Sequence, residues 1–233
     1  HTRCSRDWSS DVCSSDQGFP RGALFEAGYA AVDHSAGQWA GVAILAPLGT
    51  PVTDVVCGLE GAPFANEARW IEATVDGVRA VSVYVINGRT LDDPMYAAKL
   101  DFLDAMAARV RALAGQPLVV AGDFNIAPAD LDVYDPRAFA QSTHVTPEER
   151  SRLRAILDGG LLDAYRVREP DAVQYTWWDY RGGDFHRGRG LRIDLALVSP
   201  DLAAALRACG IDRDFRKGPK PSDHAPLILE IDR

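Results

Sequence analysis

One short segment, LVVAGDFNIAP at residues 118–128, constrains this chain more than any other. Its apolar run, Leu118–Ala121, predicts a strand that is buried on both faces and ends abruptly at Gly122. Asp123 follows at once, and the side chain of Asn125 lies on the same side if the strand geometry continues. Aspartate and asparagine at this spacing can hold a water, a hard cation or both. They can equally cap backbone groups at an ordinary strand-to-turn junction.

Length and composition favour a single domain with one core. The chain has 233 residues, of which 47% are hydrophobic, and α/β folds commonly run this long as one domain. No run of 18 apolar residues and no signal-peptide pattern is present in the sequence, so we expect a cytoplasmic protein with no membrane partner. The four cysteines are too scattered for a disulfide framework or a zinc site.

The charge of the chain bears on nucleic-acid binding. A formal net charge of −8 argues against a protein that binds nucleic acid by bulk electrostatics, because such domains are usually basic. The most basic segment runs from Arg181 to Lys220, near the C-terminus. It indicates either a local binding patch or an ordinary solvated loop.

The first sixteen residues differ from the rest. HTRCSRDWSSDVCSSD has no apolar period of either kind and contains Ser-Ser-Asp twice. We therefore interpret residues 1–16 as a non-native leader and residues 17–233 as one catalytic domain.

Alternating strand and helix patterns predict a layered α/β fold. Asp93-Pro94 marks the start of a long helix that continues to Gly115 and leads into the strand at Leu118. The capping box of Thr146 and Glu149 predicts a second helix. The predicted strands are Tyr29–Val32, Gly41–Ala46, Glu67–Val75, Ala80–Ile86, Leu118–Ala121, Gln174–Trp178, Arg192–Val198 and Ala225–Ile231, and a short helix is predicted from Ser199 to Gly210.

Two further acidic residues lie at predicted strand ends. Asp194 interrupts the apolar run LRIDLALVS, and Asp223 and His224 directly precede the last strand. Each has an ordinary interpretation alone, as a backbone cap or a loop residue. Together with Asp123 and Asn125 they indicate oxygen ligands for a hard cation, Mg²⁺ or Mn²⁺, and hence phosphate chemistry.

The motifs GDFNIAP, GLRIDLALVS and SDHAPLILEI, preceded by NGR and YAAKLDFL, resemble the exonuclease III family of apurinic/apyrimidinic (AP) endonucleases. The resemblance covers Gly18 to the C-terminus, although SDH and GDxN also occur across the wider endonuclease/exonuclease/phosphatase superfamily. It implies a four-layered α/β sandwich, with two packed sheets flanked by helices. It also implies cleavage of double-stranded DNA 5′ to abasic sites, and exonuclease and 3′-unblocking work at 3′ ends by a monomer.

The resemblance also implies roles for single residues. Asp123 would be the general base, and Asn125 would bind the attacking water and the transition-state oxygens. Asp194 would orient His224, which would donate a hydrogen bond to the scissile phosphate. Tyr96 would be the tyrosine that approaches the phosphate. The implied Mg²⁺ ligands, with Mn²⁺ possible, are Asp123, Asn125, Asp223 and His224.

DNA contacts follow from the same resemblance. Trp177, Leu191 and Ile193 match the positions that line the pocket for the flipped abasic sugar. The basic loop of residues 181–189 would meet DNA phosphates. The phosphate contacts expected in this loop and elsewhere are Arg69, Arg89, Arg187, Arg189 and Arg192.

The chain departs from the family at its beginning. The early strand that ends in an asparagine motif, and the Gln-Glu motif whose glutamate binds metal, are not found, and Glu67 and Glu72 lie in a different segment. We therefore expect a fold without its first strand or strands, weak metal affinity and low activity from these 233 residues. Two alternatives stay open: a superfamily phosphodiesterase or phosphatase for a small or lipid phosphate, and a catalytically impaired DNA-binding remnant.

Overall fold

The computed structural model describes residues 18–35, 40–218 and 220–232, and the predicted leader over residues 1–16 lies outside them. None of the helices in these ranges combines the length and apolar character that a membrane span requires. The helices are α1 (Arg21–Glu26), α2 (Pro94–Ala112), α3 (Pro147–Leu157), α4 (Ala164–Arg168), α5 (Asp184–Arg187) and α6 (Pro200–Ala204). The strands are β1 (Tyr29–Ser35), β2 (Gly41–Pro47), β3 (Val52–Cys57), β4 (Trp70–Val75), β5 (Val78–Tyr84), β6 (Leu118–Asp123), β7 (Leu162–Asp163), β8 (Asp194–Val198), β9 (Leu206–Ile211) and β10 (Leu227–Ile231).

A mixed six-stranded sheet forms the centre of the fold, with the strand order β3-β4-β5-β6-β8-β7. β5 and β6 are parallel, and the other neighbours in this sheet are antiparallel. Parallel neighbours need a crossover connection, and α2 provides it. β1 with β2, and β9 with β10, form two further antiparallel pairs. The α/β prediction is confirmed, and the second sheet that was expected is present as these two small sheets.

The central sheet is covered on both faces. On one face, Val120 and Leu195 of the sheet pack with Leu103 and Met106 of α2 and with Ile156 of α3. On the other face, Ala196 and Val198 of β8 pack with side chains of β9 and β10, and β2 lies against β4 and β5. β6 is therefore an inner strand that is buried on the face of Leu118 and Val120 and half-buried on the face of Val119 and Ala121, so the predicted burial on both faces is correct only in part.

Two predicted elements are wrong in part. Residues 174–178 do not form a regular strand, because Trp177 makes only isolated bridges, to Leu191 on one side and to His224 on the other. The helix predicted to continue to Gly210 ends at Ala204, and β9 then pairs with β10. β3 was not predicted, because this edge strand is largely exposed and lacks the alternation that marks a half-buried strand.

Gly122 allows β6 to pass close to β5. Its φ is 146°, and a Cβ atom there would lie 1.9 Å from the carbonyl oxygen of Val83. We expect Gly122→Ala to lower the free energy of unfolding by about 3 kcal/mol, measured by urea denaturation, because the two inner strands would have to separate. Gly210→Ala in β9 is the matched control, since nothing lies within 4 Å of its Cβ position. A Gly122→Ala variant as stable as Gly210→Ala would contradict this account.

Candidate active site

Three neighbouring strands bring polar side chains to one edge of the central sheet. Asp123 at the end of β6 is in register with Tyr84 at the end of β5 and with Asp194 at the start of β8. Side chains of residues in register point to the same face of a sheet. The structure therefore brings together Asp123 and Asp194, which lie 71 positions apart in the sequence.

His224 is held by Asp194. Its Nδ1 lies 2.8 Å from Oδ2 of Asp194, and the hydroxyl of Thr176 accepts a hydrogen bond from the backbone N–H of Asp194, at 3.0 Å. Burial alone would lower the pKa of His224, but the charge of Asp194 and its hydrogen bond outweigh burial and raise the pKa to about 9. The ring is therefore an imidazolium at neutral pH, with both nitrogens acting as donors. The predicted role of His224 as a metal ligand stays a prediction.

Asp123 is buried beside a like charge. Burial and the charge of Asp194 raise the pKa of Asp123 to about 7, and the charge of His224 offsets part of this effect. Its Oδ1 accepts a hydrogen bond from the backbone N–H of Asn125 at 2.8 Å, and its Oδ2 accepts one from Asn125 Nδ2 at 3.0 Å. A carboxylate with a pKa near neutrality, fixed in orientation, suits a general base.

Asn125 supports Asp123. Only 3% of Asn125 is exposed. Its Nδ2 also donates to the carbonyl oxygen of Val85, and its Oδ1 accepts from Asn87 Nδ2 at 3.0 Å. Asn125 Oδ1 accepts one hydrogen bond and has a second lone pair, so the expected contact of Asn125 with the attacking water stays a prediction.

Asp223 and Trp177 lie next to this pair. Trp177 Nε1 donates to Asp223 Oδ2 at 3.1 Å. Trp177 packs against Leu191 and Ile193. Leu191 is 0% exposed and Ile193 3%, so Trp177 alone of these three offers substantial surface to a ligand.

A complete metal centre is not formed by the residues in the described ranges. Carboxylate and amide oxygens are the right kind of donor for Mg²⁺. However, no three His, Cys, Asp or Glu side chains in these ranges form a ligand group. The predicted ligand set of Asp123, Asn125, Asp223 and His224 stays a prediction.

Tyr84 lies beside Asp123, and the role predicted for Tyr96 at the phosphate stays a prediction. The Tyr96 hydroxyl lies 2.7 Å from Oγ1 of Thr146, the N-cap of α3, and so joins two helices. Tyr84 is the last residue of β5, a strand in which buried and half-buried residues alternate. Its position at the end of a strand was the sequence feature that could have indicated a place near Asp123.

The predicted DNA-contacting arginines divide into two groups. Arg192 is 0% exposed and forms ion pairs with Asp132 and Asp163, so it cannot contact DNA in this structure and its prediction is wrong. Arg69 is largely buried as well, bonded to Glu67 and stacked over the Tyr84 ring. The exposed members, which stay available to a phosphate backbone, are Arg89, Arg187 and Arg189.

Lys99 is a buried residue near the site that sequence reasoning missed. It lies on the apolar face of α2 among Ala98, Phe102 and Leu103, and it is 0% exposed. A lysine on the buried face of an amphipathic helix needs a charged partner. The position of Lys99 among apolar residues of α2 was therefore the sequence feature that could have revealed a buried ion pair.

Comparison with known proteins places this geometry in a family. The model of the endonuclease/exonuclease/phosphatase family matches residues 12–224. The chain belongs to the endonuclease/exonuclease/phosphatase family. The match starts within the predicted leader, five residues before the predicted domain boundary at residue 17.

Individual members of the endonuclease/exonuclease/phosphatase family agree with the resemblance. Exodeoxyribonuclease III of Haemophilus influenzae is 40% identical over 122 residues, which cover 49% of this chain and 46% of that protein. The DNA-(apurinic or apyrimidinic site) endonuclease of Dictyostelium discoideum is 30% identical over 181 residues, or 76% of this chain and 49% of that protein. The chain thus spans about half the length of these two relatives.

A solved structure extends the likeness over most of the chain. The 3′ phosphatase NExo from Neisseria, bound to a product DNA hairpin, has a TM-score of 0.89 and 41% sequence identity. The superposition covers 94% of this chain and 85% of that chain. These relatives confirm the resemblance to exodeoxyribonuclease III and AP endonucleases.

Proposed function

We propose that this chain is a DNA repair nuclease that hydrolyses phosphodiester bonds at abasic sites and 3′ ends of duplex DNA. The observation that carries the proposal is the juxtaposition of Asp123 with the Asp194–His224 pair at one sheet edge. A base and an oriented cationic donor side by side suit the attack of water on a phosphodiester. The names of the relatives favour DNA as the substrate.

The residues of the chain divide the chemistry between them. Asp123 accepts a proton from the attacking water, while Asn125 fixes the direction of its carboxylate. His224 donates from Nε2 to a phosphate oxygen and so stabilises the negative charge that develops there. Asp194 holds Nδ1–H of the ring and keeps it in that orientation.

Mg²⁺, with Mn²⁺ as a substitute, is the cation that we propose. The family is metal-dependent, and a bound divalent ion neutralises charge on a phosphate. The described residues hold no group of three His, Cys, Asp or Glu side chains that could bind a metal ion. We therefore infer weak metal affinity and low activity.

Exposed arginines and an aromatic pocket support a duplex substrate. Arg89, Arg187 and Arg189 are exposed, and contacts from them to phosphates would make DNA affinity fall with salt. Trp177 would face the flipped abasic sugar. We further propose that residues 17–233 act as one catalytic domain of a cytoplasmic monomer.

A comparison of substrates tests this function. The protein is incubated with a duplex carrying one abasic-site analogue, a duplex ending in a 3′-phosphate, and a small aromatic phosphodiester, each with Mg²⁺ and with EDTA. We expect incision 5′ to the abasic site in Mg²⁺ and none in EDTA, at a rate below that of the H. influenzae exodeoxyribonuclease III assayed in parallel.

The other outcomes identify the alternatives. Faster turnover of the small phosphodiester than of either duplex would favour a small-molecule phosphodiesterase of the same family. Preferred release of the 3′-phosphate would favour the activity for which the Neisseria relative is named. Salt-dependent DNA binding without hydrolysis in Mg²⁺ or Mn²⁺ would indicate a DNA-binding remnant, and incision at the full rate of the relative would contradict the inference of low activity.

A further inference from the structure

A single buried lysine joins three segments beneath the candidate site. Lys99 Nζ donates to Glu149 Oε1 at 2.5 Å, to the carbonyl oxygen of Asn125 at 2.7 Å, and to that of Asn87 at 3.2 Å. Thr143 Oγ1 lies 3.1 Å from the same nitrogen, so two of these four acceptors share one N–H. The loop after β5, the loop after β6 and the N-terminal end of α3 therefore meet at one ammonium group.

The backbone that Lys99 holds is unusual. Asn125 has a φ of 52°, in the left-handed region that asparagine enters more readily than most residues other than glycine. Such a conformation persists when several contacts enforce it. Here the carbonyl oxygen of Asn125 accepts from Lys99 and, at 2.6 Å, from His144 Nδ1.

The side chains of Asn87 and Asn125 form a series of hydrogen bonds that ends at Asp123. Asn87 Nδ2 donates to Asn125 Oδ1, and Asn125 Nδ2 donates to Asp123 Oδ2, each at 3.0 Å. Lys99 donates to the main-chain carbonyls of both asparagines. A shift of its ammonium group would therefore disturb both of these side-chain hydrogen bonds.

Glu149 is more than a counter-ion for Lys99. Its carboxylate accepts from the backbone N–H of His144 and of Thr146 as well as from Thr143 Oγ1. Both Lys99 and Glu149 have fully buried side chains. Removing either partner alone would leave a buried, unpaired charge.

We propose that Lys99 is a positioning residue for the hydrolysis proposed above. Lys99 donates hydrogen bonds to the main-chain carbonyls of Asn87 and Asn125. It thereby fixes the side-chain hydrogen bonds from Asn87 to Asn125 and from Asn125 to Asp123, which orient the Asp123 carboxylate. It acts through these groups and does not touch the substrate. The activity readout rests on the proposed function, whereas the positioning of the asparagines can be tested without it.

Three variants separate positioning from stability. Lys99→Met leaves Glu149 unpaired, so its urea midpoint of unfolding should fall clearly below that of the wild type. In Lys99→Met/Glu149→Gln the buried charge is gone and the glutamine oxygen still accepts from one of the two backbone N–H groups, so part of the midpoint should return. We expect kcat to fall about a hundredfold in both variants, with KM near the wild-type value, because the base is displaced. If kcat recovers together with the midpoint, Lys99 has only a structural role and the proposal is overturned.

Arg79→Met is the matched control. Arg79 forms a buried ion pair with Glu72, at 2.8 Å. It lies at the end of β5 that is in register with Leu118, away from Asp123. Its loss should lower the urea midpoint and leave kcat unchanged.

A second readout does not depend on activity. In NMR spectra of the double variant, the side-chain amide signals of Asn87 and Asn125 should shift and the backbone N–H of Asn125 should exchange faster, and in Arg79→Met they should not. If these changes occur while the wild type cleaves no DNA, the proposed function fails and the positioning role stands. If the wild type cleaves abasic DNA and the double variant keeps its kcat and these signals, the positioning role is wrong.

Discussion

Asp123→Asn is expected to lower kcat for incision of an abasic duplex by about 10²–10⁴-fold, the range for loss of a general base. Asparagine keeps the size of the side chain and an acceptor oxygen but cannot take the proton of the attacking water. Single-turnover cleavage with enzyme in excess measures the effect on the chemical step. Binding of the duplex should change little, because the exposed arginines supply the phosphate contacts.

The stability of this variant gives a second check. Asp123 and Asp194 are neighbours in register on β6 and β8, so Asp123→Asn removes one of two adjacent negative charges. The variant also loses one of the two hydrogen bonds from Asn125, because asparagine has a single acceptor oxygen. In EDTA the free energy of unfolding should therefore stay near that of the wild type, although activity is lost. Asp101→Asn, on the exposed face of α2, is the control and should change neither quantity. Wild-type cleavage by Asp123→Asn would remove this residue from the mechanism.

Arg192→Met is expected to lower the free energy of unfolding by about 3–5 kcal/mol, measured by urea denaturation. The guanidinium is fully buried, and its Nε lies 2.6 Å from Asp132 Oδ1. Its Nη2 lies 2.8 Å from Asp163 Oδ2. Methionine fills much of the same volume but leaves two carboxylates without this partner.

Arg152→Met is the control for a surface pair. Arg152 on α3 bonds Asp104 on α2 at 3.0 Å, with both side chains partly exposed, so the loss should be about 0–1 kcal/mol. The contrary result is an Arg192→Met protein with wild-type stability but weaker and less salt-sensitive DNA binding. That result would show that Arg192 contacts DNA phosphates, as first predicted.

Local signals in the sequence were sufficient for part of the fold. Asp93 accepts from the backbone N–H of Met95 at the start of α2, and Thr146 with Glu149 forms the capping box of α3, as predicted. The convergence of Asp123 with Asp194 was also predictable, because polar residues at the ends of buried strands collect at one sheet edge.

Other features depend on contacts between distant segments. Arg192 stands between two apolar residues, and its sequence position does not reveal that Asp132 and Asp163 bury its charge. Tyr84 is in the site because of its register with Asp123. Lys99 acquires its partners only when three segments fold together, so a motif along one segment cannot show them.

The most direct test is a crystal structure of Asp123→Asn bound to a duplex with one abasic-site analogue. We expect the phosphate 5′ to the abasic sugar to lie within hydrogen-bonding distance of His224 Nε2, with residue 123 next to its phosphorus atom and the sugar against Trp177. DNA bound elsewhere, with Asp194, His224 and residue 123 remote from any phosphate, would contradict this expectation.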